Sequence, residues 1–320
     1  MAFFLDRIRE GCASVADVAT HVRIERDAIP GYAGALVTEV AESPKHDPSC
    51  HYLGHGEDTV AFFITLDAIN FGSGYFPQLR KRQGVSGYFT VASALNDRFR
   101  SLGPLSADDL VDLDPEACTG LFDQDPANEA IRELMRHFSR ALGDLGRHLL
   151  DRYGGSFVGP LSAADGSAES LVGLLAEMPY YRDVACYGEL EVPFFKRAQI
   201  TAADLHLAFG GQGWGQFGDL DRLTIFADNV VPHVLRLDGV LRYDGALVER
   251  ILGGELIPAG SQEEVEIRAC AVHAVELLAD ACRGSGRPVT ARDLDALLWN
   301  RGRGQRYKSV PRHRTRTVFY

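Results

Sequence analysis

The sequence predicts a mainly α fold with a small β element, on three observations. Apolar residues recur at helical spacing beyond about residue 100, capping residues stand where those runs begin, and the β-rich runs are confined to the first 70 residues. A helix is expected from about Phe3 to Arg26, broken by Pro30-Gly31. Two β-rich runs follow, Ala35 to Val40 and Val60 to Leu66, around a turn-rich segment with His46, His51 and His55. Residues 72–90 are irregular and rich in Gly, Pro and aromatics, the pattern of a binding loop. Asp125-Pro126 then opens a long helix through Ile131, Leu134, Phe138, Leu142 and Leu149 that stops at Gly154-Gly155. Ser167 begins a shorter helix closed by Pro179, and another runs from Phe194 to Phe209. Ser261-Gln-Glu-Glu264 forms a capping box for a helix to about Cys282, and Thr290 caps one ending near Trp299. With no repeat, low-complexity tract or linker, the chain reads as one domain over 1–320. Its mixed α/β part is about 1–100 and its helical part about 101–320.

At 320 residues the chain can bury a core without metals or disulfides. No apolar stretch approaches the roughly 20 residues a membrane span needs, and the first residues, MAFFLDRIRE, do not read as a signal peptide. The six cysteines form no CxxC pair and no zinc-spaced array, so they read as reduced thiols of a cytoplasmic protein. A formal charge of −11 argues against a stable nucleic-acid partner. The exception is 301–316, with seven Lys or Arg in sixteen residues, which is either a solvated basic tail or a local site for a phosphorylated ligand.

Several motifs have a chemical and a plain reading. Gly213-Trp-Gly-Gln-Phe-Gly218 matches GxGxxG, but a helix precedes it and no βαβ unit surrounds it, so it reads as an inter-helix loop. His51 and His55 are four apart in a segment that does not look helical, and no metal is expected there. Lys196-Arg197 reads as a solvated basic pair, or as a site where Lys196 binds a phosphate or orients an acid. Glu264 and Arg268 read as an exposed ion pair, or as part of a site. In Phe226-Ala-Asp-Asn-Val-Val-Pro-His233, Pro232 fits only a first helical turn, so a helix begins near Asn229 or Val230. Asp228 then lies at the positive end of the helix dipole. It is either a plain cap or a fixed anion suited to the oxocarbenium-like transition state of glycosidic cleavage.

Six stretches together resemble the queuosine salvage family of queuosine 5′-phosphate N-glycosylase/hydrolases. They are Asp67-Ala-Ile-Asn-Phe71; Ser86-Gly-Tyr-Phe89 with Ala94-Leu-Asn96; Tyr181-Arg-Asp-Val184; Phe195-Lys-Arg-Ala-Gln-Ile200 with Ala203-Asp204; Thr224-Ile-Phe-Ala-Asp228; and Glu264-Val-Glu-Ile-Arg268. Leu298-Trp299 and His313-Arg314-x-Arg316 extend the match, so that it covers residues 67–320 in order. Phe89 stands where the family tends to have Trp, Asn300 replaces an acidic residue, and Ala269 replaces a Gly.

The resemblance implies a helical body akin to helix-hairpin-helix DNA glycosylases and hydrolysis of queuosine 5′-monophosphate to release queuine for tRNA. It makes Asp228 the catalytic residue and Lys196 a second functional position, and Phe71, Ser86, Tyr88, Phe226 and Asn229 substrate contacts. A 7-deazapurine has no N7 to protonate, which shifts the burden onto stabilising the ribosyl cation. The base also carries a cationic secondary amine, for which Glu264 is the expected partner. The 5′-phosphate calls for a cation, with Lys196, His233 and the Arg314/Arg316 pair in competition, and His51 is expected on the diol or the phosphate. No cofactor is needed. The rival readings are a nucleic-acid glycosylase, which would bind oligonucleotides in a salt-dependent way, and a non-catalytic queuine or nucleotide carrier.

Overall fold

Side-chain caps and buried stripes set most of the helices in the computed structural model, which describes residues 4–39 and 45–320. In chain order the helices are α1 (Phe4–Val18), α2 (Ile29–Glu39), α3 (Glu57–Ala68), α4 (Gly87–Leu102), α5 (Ala107–Asp112), α6 (Pro115–Leu121), α7 (Glu129–Tyr153), α8 (Gly159–Ala164), α9 (Ala168–Leu175), α10 (Lys196–Ala208), α11 (Val231–Leu237), α12 (Gly245–Leu252), α13 (Gln262–Gly284), α14 (Ala291–Arg301) and α15 (Gln305–Lys308). Ser86, Asn128, Ser167, Ser261 and Thr290 each accept a backbone N–H at the start of their helix, filling a donor the first turn leaves unpaired. The long helix α7 thus starts at Asn128, not at Asp125, whose carboxylate instead takes the Ala127 N–H in the turn before it. Gly154, with φ +60°, ends it in the left-handed conformation that glycine adopts without cost.

Two β expectations are overturned. The run Val60–Leu66 lies inside α3, and the described part of the run from Ala35 lies in α2; Val40, like Phe3, falls outside the described residues. Residues Thr59–Ala68 of α3 are all buried, so the helix has no polar face, and a continuous apolar run cannot be told from a buried strand by its period. Pro30 does not break α2 because it sits in the first turn, where its missing N–H has no partner to lose. The helix predicted from Phe3 to Arg26 stops at Val18, and Val22–Ile24 is a short strand.

That strand, β1, pairs antiparallel with β4 (Leu241–Tyr243). Strands β2 (Val184–Tyr187) and β3 (Leu190–Pro193) form a hairpin with Val184 opposite Pro193. Helix α13 runs through the core, buried without a break from Glu264 to Val272 and packed on α1, α2, α11 and α14. Its buried Glu266 carboxylate receives the N–H groups of Thr20, His21 and Val22 and the hydroxyls of Thr20 and Tyr187, which distributes the charge over five donors. The basic segment after α15 is no solvated tail from His313 onward. His313, Thr315, Thr317 and Tyr320 are buried, and the Tyr320 carbonyl accepts the Gly72 N–H at 3.0 Å.

Candidate active site

Asp228 lies just before α11, where the fold brings backbone N–H groups to bear on its side chain. One carboxylate oxygen accepts from Val230 N at 2.7 Å and Val231 N at 3.2 Å. The helix begins one residue later than expected, and Asp228 caps it from two residues outside. Asp228 itself remains partly exposed, and Pro232 sits in the first turn as the sequence requires. The backbone ahead of it is held from α14, because buried Asp295 accepts the Phe226 N–H at 2.9 Å.

Lys196 reaches the same place from α10. The β2–β3 hairpin returns the chain through Phe195, whose φ of +45° is left-handed, and α10 then starts with Lys196 and Arg197 both buried. The solvated-pair reading of these cations is therefore wrong. The Lys196 ammonium donates to the Asn70 carbonyl at 3.1 Å, and burial lowers its pKa against an opposing pull that is strongest from Asp228 and extends to Asp67 and Asp295. Arg197 is a strut. It donates to the carbonyls of Asp67, Ala68, Tyr180 and Val318 and stacks on Phe71 and Tyr181, each at 4.8 Å.

Three more carboxyl groups face this point. Burial, then the Asp204 charge, raises Asp67 well above the usual carboxylate range. Burial, then Asp228, does the same for Asp295. Asp204 is pushed up to about 7 by burial, with His51 and Lys196 pulling the other way. Asp67 takes one long hydrogen bond from Asn70 at 3.4 Å, and its other oxygen has no partner among the described residues. That arrangement suits protonated Asp67 and Asp295 beside the partly exposed carboxylate of Asp228.

An aromatic wall from three segments stands next to Asp204. Nδ1 of His51 donates to the Asp47 carbonyl at 3.0 Å, so Nε2 accepts the Tyr88 hydroxyl at 3.1 Å. Burial lowers the His51 pKa, which keeps the ring neutral for that role, and raises that of Tyr88. Trp299 of α14 meets Tyr88 and Phe89 edge-on with centroids 6.5 and 6.3 Å away. Tyr88, Asp204, Phe226, Asp228 and Trp299 are all partly exposed, as walls of a cleft are.

The protein-family description "Queuosine salvage protein" matches residues 50–320. The chain belongs to the queuosine salvage family. Relatives named queuosine 5′-phosphate N-glycosylase/hydrolase include one from Sphaerobacter thermophilus, 36% identical over 96% of this chain and 95% of its own. Those from Mus musculus and Dictyostelium discoideum are 32% and 30% identical, over 98% and 99% of both chains.

Within this member of the queuosine salvage family, the expected site residues divide. Asp228, Lys196, His51, Tyr88 and Phe226 come together, and Asn229 stands beside them with its amide donating to the His313 carbonyl at 3.3 Å. Ser86 caps α4 and so fixes the start of the helix that carries Tyr88. Phe71 is 2% exposed and packs edge-on against Phe138, beneath Arg197. Nε2 of His233 donates to the Tyr307 carbonyl at 2.9 Å, and burial lowers its pKa to about 4, so it offers a phosphate no charge. Glu264 and Arg268 are 3% and 2% exposed, which overturns the exposed-pair reading. Arg268 grips Asp183 with two hydrogen bonds of 3.0 and 2.6 Å and lies over Phe194, while Glu264 accepts from Gly260 N and lies 3.6 Å from Arg268. Arg314 donates to the Gly254 carbonyl, and Arg316 lies over Tyr75, 3.6 Å from Glu133. The GxGxxG match is a turn after α10, and both sheets among the described residues are two-stranded and antiparallel.

Sequence reasoning missed Asp67, Asp204, Asp295 and Trp299 as members of one site. Asp67, Asp204 and Trp299 fall inside the stretches that carry the family resemblance. Asp295 lies one helical turn before Trp299, which puts both on one face of α14.

Proposed function

We propose that this chain hydrolyses the N-glycosidic bond of queuosine 5′-monophosphate and releases queuine for reuse in tRNA. The observation that carries the proposal is the similarity, over essentially the whole chain, to relatives named for that activity. Asp228 is the catalytic residue. Its carboxylate faces the ribose as C1′ gains positive charge, water adds to C1′ as the base departs with the bonding electron pair, and the proton the water gives up ends on the departing base. Two N–H donors and the nearby Lys196 ammonium hold that carboxylate where it is needed. With Asp295 and Asp67 protonated, Asp228 is the open carboxylate left to face the ribose, and a 7-deazapurine, with no N7 to protonate, gains most from such an anion. Tyr88, Phe226 and Trp299 provide apolar faces for the base, with His51 orienting Tyr88.

Asp204 replaces Glu264 as the partner for the cationic amine of the base. It is partly open and beside the aromatic wall, whereas Glu264 is committed to Gly260 and Arg268. The whole chain acts as one N-glycosylase domain in the cytoplasm, without a stable nucleic-acid partner, in keeping with a net charge of −11 and six unpaired cysteines. Among the described residues no helix is long and apolar enough to cross a membrane. The test is incubation with queuosine 5′-monophosphate and mass spectrometry for free queuine. Absence of release sinks the proposal, and salt-dependent oligonucleotide binding would favour a nucleic-acid glycosylase instead.

A further inference from the structure

The basic segment after α15 holds one cation that the cleft uses and the sequence did not single out. Arg312 makes no hydrogen bond or ion pair with any described residue, unlike its neighbours Arg314 and Arg316. The backbone on both sides of it is pinned to the Asp228 region. Arg236 of α11 donates to the Pro311 carbonyl at 3.2 Å, and Asn229 donates to the His313 carbonyl at 3.3 Å. Arg312 is therefore presented at a fixed place beside the catalytic carboxylate. Its side chain is solvent-exposed, yet surrounding protein lowers its pKa, and Asp228 is the charge that opposes this. Among the described residues no other carboxylate neutralises it, and it stands beyond ion-pair distance from Asp228.

We propose that Arg312 binds the 5′-phosphate of the nucleotide substrate and is the residue that makes the cleft prefer a nucleoside monophosphate over a nucleoside. The inference rests on the glycosidase reading above and names the recognition element that reading lacks. A phosphate dianion near Asp228 is repelled unless a cation accompanies it. Lys196, Arg197, Arg236 and Arg268 already donate to protein oxygens, and Arg303 lies over the Phe89 and Trp299 rings. A guanidinium offers two parallel N–H donors to two phosphate oxygens, so Lys in its place recovers the charge but not the fork.

The test compares wild type with Arg312→Ala and Arg312→Lys. For Arg312→Ala, KM for queuosine 5′-monophosphate rises about 10- to 100-fold, the range of charge-assisted hydrogen bonds, and Arg312→Lys recovers part of the loss. Inorganic phosphate binding, followed by 31P NMR without any turnover, weakens in parallel. A KM within twofold of wild type for Arg312→Ala, or phosphate binding as strong as wild type, overturns the assignment. The phosphate measurement stands even if wild type releases no queuine, so failure of the glycosidase reading and failure of this inference are separable.

Discussion

Replacing Asp228 with Asn removes one charge while leaving the carbonyl oxygen that caps α11. That oxygen can still accept from Val230 N and Val231 N, now 2.7 and 3.2 Å away, so the helix start survives. At about 4 Å and an effective dielectric of roughly 20, a carboxylate facing a ribosyl cation is worth about 4 kcal/mol. That corresponds to about a thousandfold in the rate of bond cleavage. Asp228→Ala also loses the cap and costs about 0.5–2 kcal/mol of stability. The assay is single-turnover release of queuine, measured by mass spectrometry, beside thermal melts and substrate binding for each variant. Asp228→Asn should bind and melt like wild type and cleave about a thousandfold more slowly. If it cleaves within tenfold of wild type, the aspartate does no electrostatic work on the transition state. If it fails only because it no longer binds substrate, the carrier reading gains instead.

Other outcomes follow from charges and close approaches away from Asp228. Asp204 keeps its proton in the native state up to about pH 7, whereas the unfolded chain releases it near the ordinary aspartate value of 3.8. Stability therefore falls as pH rises between those values, by at most about 4 kcal/mol for a shift of roughly three units, and stays low above pH 7. Asp204→Asn should melt higher than wild type at pH 8 and lose that advantage at pH 4; an equal difference at both counts against it. Arg268→Met strands the buried Asp183 charge and should cost about 3–5 kcal/mol in urea unfolding, with Asp183→Asn in the same chain recovering most of it. Gly74→Ala places a Cβ 2.2 Å from the Thr315 carbonyl oxygen, so backbone must shift, and stability should drop by about 1–3 kcal/mol. Gly31→Ala, whose Cβ meets nothing within 4 Å in α2, is the control and should be neutral or mildly stabilising.

What the sequence determined was local. Serine and threonine caps, helical spacing and glycine stops placed the later helices to within a few residues, and Pro232 located the helix that Asp228 precedes. These signals work because a cap or a 3.6-residue stripe is satisfied within one turn. Where the stripe vanished, in α3 buried from Thr59 onward, the same logic produced a strand that is not there. Motif order along the chain also carried the family, and with it Asp228 and Lys196. What only the tertiary structure decided was the company these residues keep. Asp67, Asp204 and Asp295 come from α3, α10 and α14, and they meet Asp228 and Lys196 across separations no local period encodes. Glu264 and Arg197, chemically plausible in sequence, are taken up by Arg268 and by backbone carbonyls, while Arg312 is left open. The physical reason is that a charge's role depends on distance and burial, and both are set by packing between elements far apart in the chain.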